Sequence, residues 1–199
     1  KYKFGREIPI NLDILCEDDP ALANPYGMIP VNPAKHPHVK FELADKLAAM
    51  APIDDARVFL GASGSDANDT LVKLIRYYAV ASGQPDRVKI IARDKGYHGV
   101  SVASAALTGL HANHAHFQLP FDALGVLRTG APHYYCCAEA GETEADFVAR
   151  RASELEALIL DEGPDTIAAM IAEPVNGAGG VIIPPEGYFE AVQAVLDKY

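Results

Sequence analysis

The chain has 199 residues, of which 49% are hydrophobic, and its formal net charge is −10 with a pI near 5.1. This acidic balance argues against nucleic acid or an anionic membrane surface as the main partner, but it allows a small phosphorylated ligand held by backbone N–H groups. Three cysteines, an odd number with two adjacent, make no disulfide framework, so we expect a reducing, cytoplasmic location and no signal peptide.

Residues 1–40 are rich in proline and lack periodicity, which predicts an irregular N-terminal segment. After it the pattern becomes helical. Apolar side chains at Leu43, Leu47 and Met50 predict an amphipathic helix. We therefore divide the chain into an irregular segment, 1–40, and a folded part, 41–199.

A turn of small residues, 61–69, lies between a predicted buried strand, 57–60, and a predicted helix. Its glycines allow the backbone to approach a ligand, and the free N–H groups and dipole of the helix favour an anion there. With the hydroxyls of Ser63 and Ser65 as additional donors, the pattern predicts a phosphate cradle. The alternative is an ordinary capped turn, in which Ser63 and Asp66 form a pair similar to a capping box.

The next apolar run, 88–92, is typical of a strand buried on both faces of a parallel sheet. Together with strand 57–60 and the helix between them, it predicts a βαβ unit. Two glycines then bracket Tyr97 and His98. Because ligands of open α/β sheets bind beyond the carboxyl ends of the strands, both residues are candidates for a ligand site. The alternative is a loop with a half-buried tyrosine.

Residues 99–107 are small and apolar and predict a closely packed helix. Three histidines follow within 110–116, but no carboxylate or cysteine motif accompanies them, so we predict a solvated loop and no metal. Glycine and proline make 117–142 a predicted loop region, with one short covered strand at 134–137. The two adjacent cysteines of that strand have no base or redox partner beside them, and we interpret them as structural.

A strong helical pattern from Thr143 to Glu162 is followed by a predicted buried strand, 166–172, which ends at Glu173. A carboxylate at the carboxyl end of a strand is a functional candidate. The alternative is a glutamate that anchors its own loop by accepting backbone N–H groups. A last amphipathic helix follows Gly187, and four apolar side chains are predicted to face inward: Phe189, Val192, Val195 and Leu196.

Three motifs stand in order along the chain: 63–69, 96–99, and 172–175 with 187–189. Together they resemble the class III, fold-type-I aminotransferases that use pyridoxal 5′-phosphate (PLP), and within them the ω-amino acid:pyruvate or amine:pyruvate branch. The resemblance covers roughly 41–199 and implies part of the PLP-binding large domain, an α/β fold with a mostly parallel central sheet and flanking helices. It also implies transamination of an ω-amino acid or amine with pyruvate as acceptor, and a homodimer.

The resemblance assigns roles to six residues. Three at the start of the helix would hold the phosphate of PLP: Ser63, Gly64 and Ser65. Tyr97 would stack on the pyridine ring, and His98 would hydrogen-bond the aspartate that keeps the pyridine nitrogen protonated. Glu173 would join the hydrogen-bond network at the edge of the cofactor. Asp66 stands where the family usually has glutamate, a mild departure.

Ala178 bears on the amino acceptor. Family members that use 4-aminobutyrate or ornithine with 2-oxoglutarate carry a glutamate here, paired with an arginine that gates the substrate, so the alanine resembles the pyruvate-using branch. The family also needs a Schiff-base lysine and an aspartate at the pyridine nitrogen. No residue of this chain matches either one, so we assign it no catalytic residue. We expect the sequence to be part of a longer enzyme, and these 199 residues alone not to transaminate.

Three other functions remain open. The first is a non-catalytic fragment that binds PLP or phosphate. The second is an aminomutase or decarboxylase on the same fold, and the third is a dinucleotide-binding module. The last is disfavoured because the turn lacks Gly-x-Gly-x-x-Gly and because Ala92, not an acidic residue, ends the next strand.

Overall fold

The computed structural model describes residues 41–51, 56 and 58–199, and for 41–44 only the backbone. The predicted irregular segment, 1–40, and the first residue of the predicted strand 57–60 lie outside the described residues. The elements in chain order are α1 (Phe41–Met50), α2 (Gly64–Ala81), β1 (Lys89–Arg93), α3 (Val102–Leu107), α4 (Phe121–Leu124), β2 (Val126–Thr129), α5 (Tyr134–Cys137), α6 (Glu144–Glu162), β3 (Ile167–Ile171) and α7 (Tyr188–Leu196), with short 3-10 helices at His111–Asn113 and Pro164–Thr166.

The three strands form one parallel sheet in the order β2-β1-β3, with Ile91 of β1 opposite Leu127 on one side and Met170 on the other. The central strand β1 is buried from its second residue onward, as its continuous apolar sequence predicts. The predicted α/β class with a parallel sheet and flanking helices is confirmed. Within the described residues, no helix is long and apolar enough to cross a membrane.

Neighbouring residues of a strand point to opposite faces of the sheet, and in β1 the residues on both faces are apolar. Helices therefore cover both faces. Ile91 points into a core formed with α6 and α7, where Ile159 and Val192 are also buried. Ile90 points into a second core with α2 and α3, where Ile75 and Leu107 are buried. The result is three layers, helix on sheet on helix, with the strand ends left free to carry loops.

The predicted strand 57–60 is wrong for its described residues. Residues 58–60 form no strand, and the side chain of Leu60 is 60% exposed. The described strands pair only with one another, so this segment has no neighbouring strand to satisfy its backbone groups. The predicted βαβ unit that begins with it is therefore not formed among the described residues.

Two further predictions need correction. Residues 134–137 form α5 and not a covered strand, because the ring of Tyr134 packs on Phe147 and its hydroxyl donates to the Glu142 carbonyl, while Tyr135 is 95% exposed. In α7 the buried aromatic is Tyr188, whereas Phe189, predicted to face inward, is exposed. The other predicted inward positions of α7, Val192 and Val195, are buried and confirm the pattern; Leu196 packs, partly buried, against the same core.

Candidate functional site

Three loops meet at the carboxyl ends of the strands, and they contain all six of the predicted site residues. The first is the turn that enters α2, the second follows β1, and the third follows β3. The Ser65 hydroxyl accepts from the Val100 N–H at 3.0 Å, which joins the first loop to the second. The Glu173 carboxylate accepts from the Tyr97 N–H at 2.7 Å, which joins the second loop to the third.

The turn into α2 is capped, as the alternative interpretation predicted. Ser63 has an extended backbone, and its Oγ accepts from the Asp66 N–H at 3.2 Å. The Asp66 carboxylate accepts from the Ala62 N–H at 3.0 Å, one residue earlier than in a capping box. The N–H groups of Gly64 and Ser65 have no acceptor among the described residues. These two donors open an 18-residue helix, whose dipole favours an anion at this end.

The second loop approaches the turn closely because residue 99 is glycine. Gly99 has φ +135°, and a Cβ there would lie 2.6 Å from the Ser65 hydroxyl and 2.4 Å from that of Ser104. The Asn68 amide holds the same loop by donating to the His98 carbonyl at 2.6 Å, and Thr108 Oγ1 accepts from the His98 N–H at 2.9 Å. Neither Asn68 nor Thr108 was predicted as a site residue, because their roles depend on tertiary contacts.

His98 is the buried ring of the site. It is 7% exposed, and its Nε2 has no hydrogen-bond partner among the described residues. Burial lowers its pKa to about 4; the carboxylate of Glu173 acts in the opposite direction, and the charges of Arg93 and Arg128 lower it further. The ring is therefore neutral at pH 7. A buried polar atom without a partner costs about 1–3 kcal/mol, so Nε2 marks a place for a group that the described residues do not supply.

Glu173 anchors the loops, which is the alternative that its sequence position left open. One carboxylate oxygen accepts from Tyr97 N–H and the other accepts from the Gly177 N–H at 3.1 Å. The Tyr97 main chain is thereby held while its ring stays exposed. Lys95, the lysine nearest to these loops in the sequence, is exposed, as expected.

The histidine loop is separate from this arrangement. His114 places Nε2 2.6 Å from the Thr108 carbonyl and 3.1 Å from that of Ala105, so the ring is used to hold the end of α3. In the part of the chain that the structure describes, no group of three or more histidine, cysteine or acidic side chains is arranged to hold a metal ion.

Comparisons with known proteins identify the family. The family model for aminotransferase class-III matches residues 27–199. The chain is 54% identical over 159 residues to gamma-aminobutyrate transaminase 1, mitochondrial, of Oryza sativa subsp. japonica, covering 79% of this chain and 30% of that protein. It is 48% identical over 159 residues to the diaminobutyrate–2-oxoglutarate transaminase of Halomonas elongata, covering 79% and 34%.

Comparison with solved structures gives the same family. The omega transaminase from Pseudomonas jessenii, in complex with PMP, superposes with a TM-score of 0.78 at 50% identity, covering 86% of this chain and 36% of that one. The chain thus spans about a third of the length of the relatives it matches. The predicted resemblance to class III aminotransferases is confirmed, and PLP is the cofactor of this class.

Proposed function

This chain belongs to the class-III aminotransferase family, and we propose that the natural protein that contains it transfers amino groups from an ω-amino acid or amine to pyruvate. One observation carries the proposal. Three loops bring to the carboxyl edge of one parallel sheet the exposed ring of Tyr97, the Nε2 of His98 and two N–H groups that begin a helix. Neither Nε2 nor the two N–H groups have a partner among the described residues. Because the chain spans about a third of its relatives, the activity is proposed for the whole natural protein.

The described residues fit both parts of PLP, a flat ring with a phosphate arm. The N–H groups of Gly64 and Ser65, together with the hydroxyls of Ser63 and Ser65, would bind the phosphate. Apart from its chain neighbours and its own helix backbone, no heavy atom of the described residues lies within 4 Å of the position of a Cβ at Gly64, so the approach to these donors is open. Tyr97 would stack on the ring, and PLP would supply an electron sink for the substrate carbon that bears the amino group.

His98 and Glu173 would orient the cofactor and the groups around it. His98 is neutral at pH 7, and its Nε2 would hydrogen-bond the aspartate that the resemblance places at the pyridine nitrogen. Glu173 holds the Tyr97 main chain at a fixed distance from β3. The lysine and aspartate of the family match no residue of this chain, so we propose that the 199 residues alone bind PLP without transaminating.

Absorption spectra and product analysis test the activity. We expect the natural protein with PLP to show a visible absorption band that changes when an amine is added, and to form alanine from pyruvate. A protein that binds PLP but forms no amino product from any keto acid would contradict transamination. Release of carbon dioxide, or an isomerised amino acid, would indicate a decarboxylase or an aminomutase instead.

Pyruvate is proposed as acceptor because of Ala178, which lies exposed in the loop after β3. An alanine there leaves no carboxylate to pair with a gating arginine. One matched relative is named a 2-oxoglutarate transaminase, so both acceptors need measurement. We expect pyruvate to react faster by about tenfold, the effect of 1.4 kcal/mol, and Ala178→Glu to reduce that preference. Equal rates with both acceptors in the natural protein would contradict this part of the proposal.

The non-catalytic alternative makes a different prediction for these 199 residues. PLP that is bound only through its phosphate and ring dissociates on dialysis, and borohydride does not trap it on a lysine. Covalent trapping on Lys95, the lysine nearest to the site in the sequence, would instead give this chain a catalytic role of its own.

We also propose a homodimer, for which exposed apolar side chains give support. Phe59 and Leu60 before α2, and Tyr77 and Val80 on α2, are all exposed. The two pairs lie at opposite ends of this 18-residue helix, and an interface that runs along α2 would cover both. Light scattering of the natural protein would show twice the monomer mass, and a monomer at micromolar concentration would contradict the proposal.

A further inference from the structure

Arg93, the last residue of β1, is a fully buried cation. Its Nη2 donates to the main-chain carbonyl of Glu173, whereas its Nε and Nη1 are buried without a hydrogen-bond partner among the described residues. The guanidinium carbon lies 5.8 Å from the ring centroid of Tyr188 and 5.6 Å from that of Phe189. A carbonyl and two aromatic rings thus stabilise the charge, with no carboxylate paired to it in the described part of the chain.

The main chain of Arg93 is equally constrained. Its carbonyl accepts from the Gly96 N–H at 3.2 Å and closes the turn that precedes Tyr97. Gly109 packs so tightly on this carbonyl that a Cβ there would lie 2.2 Å from the oxygen. One residue therefore holds the loop after β1 through its backbone and the loop after β3 through its side chain.

The Glu173 carboxylate joins the same two loops by accepting from the Tyr97 N–H, and it closes its own loop by accepting from the Gly177 N–H. The geometry points to Arg93 as a positioning residue of the cofactor site: it holds Glu173 where its carboxylate reaches Tyr97, and so sets the position of the Tyr97 ring. This inference rests on the proposed function, because the ring is assigned to PLP there. We expect lysine to replace arginine poorly in this role, since an ammonium lacks the planar guanidinium that lies beside the two aromatic rings.

Arg87 offers a matched control at the opposite edge of the sheet. It stands just before β1, and its Nε donates to the Ile167 carbonyl at 2.8 Å while its Nη2 donates to the Tyr199 carbonyl at 3.0 Å. Both arginines tie β1 to the segment of β3 through main-chain carbonyls. Only Arg93 makes this contact beside the proposed site. Comparing Arg93→Lys with Arg87→Lys therefore distinguishes an effect on the position of the site loops from a general loss of stability.

Amide hydrogen exchange of the natural protein without cofactor tests the inference directly. In Arg93→Lys, we expect exchange at Tyr97 and Gly177 to become at least about tenfold faster, equivalent to 1.4 kcal/mol, with amides of α6 unchanged. In Arg87→Lys, we expect faster exchange near Ile167 and no change at Tyr97. Unchanged exchange at Tyr97 and Gly177 in Arg93→Lys, or a uniform acceleration throughout the protein, would overturn the proposal.

A second readout uses the bound cofactor. Visible circular dichroism of PLP reports the asymmetry of its surroundings, and we expect it to fall in Arg93→Lys and to persist in Arg87→Lys. If the unsubstituted protein binds no PLP, the proposed function fails, while hydrogen exchange in the cofactor-free protein still decides the role of Arg93. If Arg93→Lys binds PLP with an unchanged dichroism spectrum, the proposal for Arg93 fails and the proposed function stands.

Discussion

The two edges of the sheet differ in how their buried and partly buried polar groups are satisfied. At the amino edge, Arg87 donates to two main-chain carbonyls. Beside it, Lys89 Nζ lies 2.8 Å from the Glu162 carboxylate and 2.9 Å from the carbonyl of the same residue. The groups of this edge find partners within the described chain, and their role is to hold strands and helices together.

At the carboxyl edge, several buried side-chain donors and acceptors have no hydrogen-bond partner among the described residues. Of six buried side-chain atoms without a partner in the described residues, five belong to Arg93, His98 and Asn176. An unmet buried polar atom costs free energy, and it persists where another group completes the arrangement. This difference is what we expect if the amino edge serves stability and the carboxyl edge, as proposed, serves binding.

The largest expected effect comes from filling the space between the loops of the carboxyl edge. A Cβ at Gly179 would lie 2.1 Å from the Lys95 carbonyl oxygen, so Gly179→Ala forces main chain apart. We expect a loss of about 3 kcal/mol in the free energy of unfolding, measured with urea. Gly177→Ala is the control, since no heavy atom of the described residues, apart from its chain neighbours, lies within 4 Å of its Cβ position. We expect a change within about 0.5 kcal/mol. Equal losses would contradict the close approach of these loops.

The next effect is a pH dependence that belongs to the carboxyl edge. Burial lowers the pKa of His98 to about 4 from 6.5, so the unfolded chain binds more protons than the folded one between these values. The free energy of unfolding should therefore rise from pH 4 to pH 6.5 and keep this contribution at higher pH. NMR titration of the cofactor-free protein should place the midpoint near 4. In His98→Asn this part of the slope should vanish; an unchanged slope would assign it to other groups.

A smaller effect is expected from the cap of α2. Ser63→Ala removes the oxygen that accepts from the Asp66 N–H, at a cost of about 1 kcal/mol, whereas Ser63→Gly should cost a few tenths. Thr143→Ala, at the capping box of α6, should cost about as much as Ser63→Ala. PLP titrations distinguish the two caps, because only the Ser63 variants should bind PLP more weakly. Equal PLP affinity in all three variants would remove Ser63 from the proposed site.

The smallest effect belongs to the amino edge. Glu162→Gln leaves the Glu162 carbonyl as an acceptor for Lys89 and removes only a partly exposed ion pair. We expect a loss of no more than about 1 kcal/mol, reduced further by salt, and no change in PLP affinity. A large drop in PLP affinity would show that the two edges are coupled.

The sequence predicted elements whose signal is local. Helix α6 was found because a cap at Thr143 and a break at Gly163 frame a helical repeat, and the structure shows both. Strand β2 was missed because the glycines and prolines around its four residues predict a loop region. In the structure the guanidinium of Arg128 in this strand donates to the last carbonyls of α3, among them that of Thr108 at 2.7 Å, a partner that no local pattern reveals.

The sequence predicted those site residues that come directly after a strand or at the start of a helix. Tyr97, His98 and Glu173 were found in this way, and the structure joins their loops. Arg93 escaped notice because a charged residue at the end of an apolar run is normally the point where a strand reaches solvent. Its burial follows from the aromatic rings of α7, which are distant in sequence.

A crystal structure of the natural protein with PLP bound tests the central claim most directly. We predict that the phosphate accepts hydrogen bonds from the N–H groups of Gly64 and Ser65, with the ring beside Tyr97 and His98. A phosphate bound elsewhere, with these two N–H groups facing water or another part of the protein, would contradict the assignment of the carboxyl edge as the cofactor site.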